Sequence, residues 1–344
     1  MKHLSFTHAS DFLRERDFGR KIEASFDFVR AHFRPLGRCL LYIVLPLMLI
    51  RGIAGGLLQA RLGGIFTSWR RVISPGQGNQ AEALRVMSDL LSGPEYWVTI
   101  VAALCSFTLM ILTVYSYVVL RLEKEDPAEP VTVAEVWAIV RQRFLGALLS
   151  FFGLGLLTML AVLVMAIVAA LLGAVLLKSP VIIALLIFVV YGAMGYAMVV
   201  LSLFFIVQIR ERTGFFATIS RCFSLVWGKW WSTFGLIFVM ALLIMMLGLV
   251  VFGITSLISS PMLLTNQSST SALSNLLSIV TSCLNSVAML ALYPFLYLAL
   301  AFQYFNLVER KEGQGLYSLV DSIGTQPAAV AAPRSYQPDD EGEY

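Results

Sequence analysis

The polar residues that fall inside long apolar runs are the first place to look for chemistry. Thr281, Ser282, Asn285 and Ser286 gather within six positions, and Gln303 and Asn306 stand further along the same run. Thr108, Thr113 and Ser116 share another run. Neutral hydroxyls and amides of this kind bond from helix to helix or line a path for a polar solute. Bonding between helices is the reading adopted here. A second group, Trp227, Lys229, Trp230 and Trp231, places indole rings and an ammonium where an apolar run begins. Such a group suits a lipid headgroup or, more simply, an interfacial belt that anchors a helix.

Ionisable groups are arranged differently. Every Asp and Glu lies outside the apolar cores of the runs, and the three histidines, His3, His8 and His32, all precede them. Ion-coupled carriers keep an ionisable group within the bilayer, and intramembrane metalloproteases need histidines on their spans. Neither pattern occurs. There is no Walker loop and no G-x-G-x-x-G, so neither catalysis, nor a cofactor, nor a metal is expected. Cys39, Cys105, Cys222 and Cys283 are widely separated and sit in or beside apolar runs, which predicts packed thiols rather than disulfides. Arg51 is the one charge well inside a run, and it is expected near the end of a span, snorkelling to the interface.

The elements that position these residues follow from composition. The 344 residues are 58% hydrophobic and 13% charged, with a net charge of +4. Soluble chains carry about 45–50% apolar and about 25% charged residues. The surplus is collected in runs long enough to cross a bilayer, which needs about 20 residues. Six spans are expected, at about 36–58, 96–120, 146–177, 181–207, 232–258 and 276–307. The fold class is therefore all-α, an integral membrane helical bundle. A basic excess this small does not point to nucleic acid.

Ahead of the spans, residues 1–17 read as a polar arm and 18–33 as an amphipathic helix redirected by Pro35. The region 1–35 thus forms one unit, 36–308 the membrane domain, and 309–344 a tail that is expected to be disordered from about 324. The first run starts too late for a signal peptide. Residues 59–95 make a long connection with a short helix over Gln80–Leu91 between Pro75-Gly76 and Gly93-Pro94. Thr132 with Glu135 makes a capping box for a second amphipathic segment. Gly192, Ala193, Gly195 and Ala197 offer a small face for close helix contact.

A repeat organises the whole. Phe33, Phe144 and Trp230 each follow apolar residues 11, 7 and 4 positions earlier: Ile22, Phe26 and Val29; Val133, Trp137 and Val140; Ile219, Phe223 and Val226. Each set precedes an odd-numbered span, so the chain reads as three copies of amphipathic helix, span, span. With these segments and both termini in the cytoplasm, 19 of the 25 Lys and Arg lie inside. Phe216 to Met246, the third copy, contains no evident turn residue between its amphipathic part and its span.

The stretches ISRCFSLVWGKWWSTFG, AFQYFNLVERKEG and RDFGRKIEASFDFVRAHFRPL resemble those of a loose group of bacterial polytopic membrane proteins. That group is similar to the membrane domain attached to some glycerophosphoryl diester phosphodiesterases. The catalytic barrel of those enzymes, with its acidic metal ligands and histidines, is absent, so the resemblance implies an accessory membrane module and no activity. The expected function is that of a non-enzymatic scaffold or accessory subunit in the bacterial inner membrane, with lipids and other membrane proteins as partners. The alternative is a transporter or lipid-handling protein with a neutral cavity between repeats.

Overall fold

The computed structural model of the chain describes residues 6, 9–73, 80–124, 129–176, 180–264 and 271–313. Lys178, the sequon at Asn266 and the tail from residue 314 lie outside the described residues, as do the histidines His3 and His8. Eleven α-helices and one π-helical turn account for nearly all of it, and no strand occurs among the described residues. Six helices are long and apolar enough to cross a membrane, so this is an all-α, multi-pass membrane protein.

The arm contributes α1, Ala9–Phe12, and leads into α2, Phe18–Cys39. Pro35 does not end α2. The chain bends at His32 (φ −113°, ψ 21°), three residues before the proline, and the helix then resumes. A proline removes one backbone donor and crowds the carbonyl four residues back, which bends a helix when neighbouring packing holds both halves. The ring of His32 stacks on Phe28 at 4.6 Å and so rests against the bend. A π-helical turn, Leu40–Val44, joins α2 to α3, Leu45–Ile73. The helix that carries the first span continues past Leu58 to Ile73.

Short α4, Gln80–Ser92, matches its expected limits and is followed by α5, Pro94–Glu123, with proline at the permitted first position. Next comes α6, Val133–Leu176, whose 44 residues make a single helix of about 66 Å at 1.5 Å per residue. Amphipathic segment and span are continuous here. The capping box is formed: Thr132 N–H donates to Glu135 Oε2 at 2.9 Å and Glu135 N–H to Thr132 Oγ1 at 3.3 Å. Thr132→Ala is expected to cost about 1 kcal/mol and to raise amide exchange in the first turn of α6 alone.

The stretch expected as the fourth span, 181–207, is not a single helix. It divides into α7, Pro180–Leu201, and α8, Phe204–Glu211, at a turn where Ser202 Oγ donates to the Val199 carbonyl at 2.7 Å. Arg212, at φ 54°, closes α8, and α9 spans Phe215–Val226. A second correction follows at once. A turn at Trp227 and Gly228, the glycine at φ 78°, separates α9 from α10, Trp230–Leu264. Glycine is the residue that adopts this backbone without strain. The chain finishes its helices with α11, Ser271–Glu312.

Both ends of the described chain meet at one end of the bundle, where Arg16 N–H donates to Asn306 Oδ1 at 2.8 Å. This arm end holds the core. Met110–Leu122 of α5, Tyr297–Val308 of α11, most of α8 and parts of α6 and α9 are buried together. Phe6 and Phe12 of the arm are fully buried there, in edge contacts with Phe28 and each other, and both meet Phe302. The arm is part of the core, not a solvated extension. At the far end the opposite holds: Leu156, Met159, Phe252 and Leu257 are all exposed. Such surfaces suit acyl chains rather than water.

Candidate functional site

The expected anchors do not converge. Phe33 is 68% exposed beyond the bend in α2, whereas Phe144 is half-buried against the core. Trp230 is held from both sides, stacked on Phe234 at 5.1 Å and on Tyr196 at 5.8 Å. Its Nε1 donates to the Tyr196 carbonyl at 3.3 Å. Trp227 and Trp231 are exposed, and the carbonyl of Lys229 accepts the first backbone donors of α10, from Ser232 and Thr233. Exposed indoles beside a capped helix start suit an interfacial belt. In α2, moreover, the buried positions are Lys21, Ala24, Ser25 and Phe28, while Phe26 of the apolar stripe is 44% exposed. That stripe lies at the edge of the core, with Ile22 and Val29 partly buried against it and Phe26 meeting Phe295 at 5.1 Å.

The polar cluster on α11 also divides. Thr281 Oγ1 donates to its own helix at Leu277 (2.9 Å) and Ser278 (3.1 Å), Ser286 is buried, and Asn285 is exposed. Ser282 has a different role, because its Oγ would stand 3.0 Å from a Cβ placed on Gly55. Cβ atoms placed on Gly52 and Gly56 would come 2.9 Å from Cys283 Cα and 2.4 Å from Ile279 Cα. The polar residues therefore border a glycine-lined contact of α3 with α11, the most extensive in the bundle. The run Gly52-Ile53-Ala54-Gly55-Gly56 is a small-xxx-small motif that signals such a contact. The small face expected on α7 is not one: Gly192 and Gly195 are exposed, with open space where a Cβ would be.

Most ionised groups at the arm end tie elements together. Arg221 Nε bonds both Glu211 oxygens at 3.0 Å, its Nη2 reaches Glu312, and Tyr304 OH donates to Glu211 at 3.0 Å. Burial opposes the charge of Arg221, but the two carboxylates outweigh it and lift its pKa above the ordinary value. Lys124 bridges Glu129 (2.8 Å) and Glu135 (3.1 Å). Arg16 donates to the Phe12 and Asp11 carbonyls with its guanidinium 5.1 Å from the Phe302 ring centre. Burial, with repulsion from Arg14, brings its pKa down to about 10. Burial also pushes the Cys222 thiol up to about 12, which leaves it protonated and a poor nucleophile at neutral pH. Gln303 Nε2 donates to Thr233 Oγ1 at 2.8 Å, so Gln303 and Asn306 both bond between elements.

Cavities open at both levels of the bundle among the described side chains. A small polar one of about 140 Å³ at the arm end is lined by Ser116, Glu123, Arg143 and Arg212. Ser116 Oγ is buried there without a hydrogen-bond partner, as is Thr113 Oγ1 one turn earlier. The larger, about 320 Å³, lies among α3, α5 and α11 and is lined by Met48, Arg51, Leu104, Phe107, Met289 and Tyr293, with Ala103 and Met110. Arg51 thus stands against the interior of α5 and α11 rather than at their helix ends. Its neighbours Ala103 and Leu104 lie about 14 Å along α5 from Pro94, and Met289 and Tyr293 bracket the middle of the last span. Among the described residues its one polar contact is Nη1 to Met48 Sδ at 3.9 Å, and no carboxylate among them lies within ion-pair distance.

In sequence the three groups of lining residues, 48–51, 103–110 and 289–293, lie far apart, and no local spacing links one group to another. Arg51 alone carried a signal, as a charge inside an apolar run. Comparisons with family models, with curated proteins and with solved structures return no match to this chain.

Proposed function

We propose that this chain is a non-enzymatic scaffold or accessory subunit of a complex in a bacterial inner membrane, with both termini and its three amphipathic segments in the cytoplasm. The observation that carries the reading is the arm end. Its carboxylates Glu123, Glu129, Glu135, Glu211 and Glu312 are each bound to a basic side chain, and the arm itself is packed into the core. Groups tied up in this way hold elements in place and are poorly placed to move protons or coordinate a substrate. A fixed end with exposed Trp227 and Trp231 on either side of Lys229 suits a docking face at the membrane surface. The threefold arrangement of amphipathic helix, span, span accounts for this concentration of basic residues at one end. A densely packed arm end also favours this reading over a carrier, which needs a route through that end.

The full chain, extracted with its surrounding lipid into polymer nanodiscs, should retain a stoichiometric membrane-protein partner identifiable by quantitative mass spectrometry. Replacing Trp227 and Trp231 together by Ala should reduce that recovery about tenfold or more without changing the yield of folded chain. Recovery of the chain alone, or partner retention indifferent to both tryptophans, would overturn the reading.

A further inference from the structure

We propose that the cavity around Arg51 is a binding site for an anionic acyl-chain amphiphile, its carboxylate or phosphate on the Arg51 guanidinium and its chain on the surrounding apolar side chains. Two independent observations lead there. The first is the charge. The Arg51 guanidinium brings a positive charge and five N–H donors beside the interior of α5 and α11. There it meets one weak sulfur acceptor, Met48 Sδ at 3.9 Å, and no carboxylate among the described residues. An intramembrane cation is costly unless something neutralises it, and the side chains that line the cavity beside Arg51 include no acid.

The second observation is the space. A cavity of about 320 Å³ adjoins the guanidinium, and its wall is Met48, Leu104, Phe107, Met289 and Tyr293. Ligand pockets begin at about this size, and apolar walls with one fixed polar group orient an amphiphile by its head. Methionine, supplied here by all three helices as Met48, Met110 and Met289, adapts to flexible chains without a strict shape requirement. The planar donor fork of arginine matches a carboxylate or a phosphate alike. A free fatty acid and an anionic phospholipid therefore share the chemistry the site reads, and the experiment must separate them.

The full chain would be placed in nanodiscs of zwitterionic phosphatidylcholine and titrated with radiolabelled palmitate, phosphatidylglycerol or, as the uncharged equal-length control, hexadecanol. Wild type should prefer at least one anionic probe over hexadecanol by about tenfold or more. Preference for palmitate alone identifies a free fatty acid, and preference for phosphatidylglycerol identifies a lipid headgroup. Arg51→Gln should erase the preference while leaving hexadecanol retention unchanged, and Arg51→Lys should restore part of it. Leu104→Trp, which fills the cavity and leaves the charge, should abolish saturable binding of every probe. Equal retention of palmitate, phosphatidylglycerol and hexadecanol by wild type would overturn the proposal, with the cavity then a water-filled vestibule. An undiminished preference in Arg51→Gln or in Leu104→Trp would do the same. The wild-type comparison alone decides the matter if a variant does not fold.

Discussion

Gly56→Ala is expected to destabilise the folded chain by about 2 kcal/mol or more, the range for one overpacked contact with little room to relax. The added carbon would sit 2.4 Å from Ile279 Cα and 2.7 Å from both Ile279 N and the Ser278 carbonyl. All three are backbone atoms, so no rotamer change relieves the clash and α3 must move away from α11. Loss of that approach also loosens the neighbouring contacts of Gly52 with Cys283 and of Gly55 with Ser282. In lipid there is no hydrophobic drive to hold helices together, and close packing is what such an interface supplies. The other glycines grade the effect. Gly55→Ala meets only the movable Ser282 hydroxyl at 3.0 Å and should cost less. Gly192→Ala and Gly248→Ala enter open space and should be neutral or gain up to about 1 kcal/mol in helix propensity. Thermal unfolding of the purified variants in one detergent reads the order directly. Equal midpoints for Gly56→Ala and Gly192→Ala would show that α3 and α11 do not meet this closely.

That interface marks a boundary in what the sequence reveals. Six spans were legible because hydropathy sums over about twenty residues, and no single residue can mask it. The capping box at Thr132 and the short helix Gln80–Ser92 were legible because their signals are local. Where one residue redirects the chain the reading was weaker. Gly228 breaks a segment that composition alone makes continuous, whereas Pro35 redirects α2 as its position implied. Faces were harder still. Gly192 and Gly195 look as suitable for contact as Gly52 and Gly56, yet only the second pair has a partner helix across from it. The Arg51 cavity draws on three helices distant in sequence, and its wall carries a charge. Positions 33, 144 and 230, aligned by aromatic type, differ in exposure because each meets a different neighbour.

Phe12→Ala should be the most damaging truncation in the arm, at about 3–5 kcal/mol, the usual cost of emptying a buried aromatic site. Phe12 sits between Phe28 of α2 (5.9 Å) and Phe302 (6.2 Å) and Phe305 (5.9 Å) of α11, with Phe6 at 5.6 Å. Its loss removes the one ring in contact with all four. The damage extends to polar groups, because the Phe12 carbonyl accepts from Arg16 and the Arg16 backbone N–H bonds Asn306. A looser arm leaves Arg16, 3% exposed, with its donors in a partly apolar setting. Two readouts separate this account from a solvated arm. Thermal stability should fall in Phe12→Ala and hardly change in Arg14→Ala, whose side chain is exposed and holds no contact in the core. Proteolysis in native membranes should cut near residues 10–17 in Phe12→Ala and spare the wild type. A wild-type arm cleaved as readily as the variant's would place Phe12 outside the core and remove the tie between the two ends of the chain.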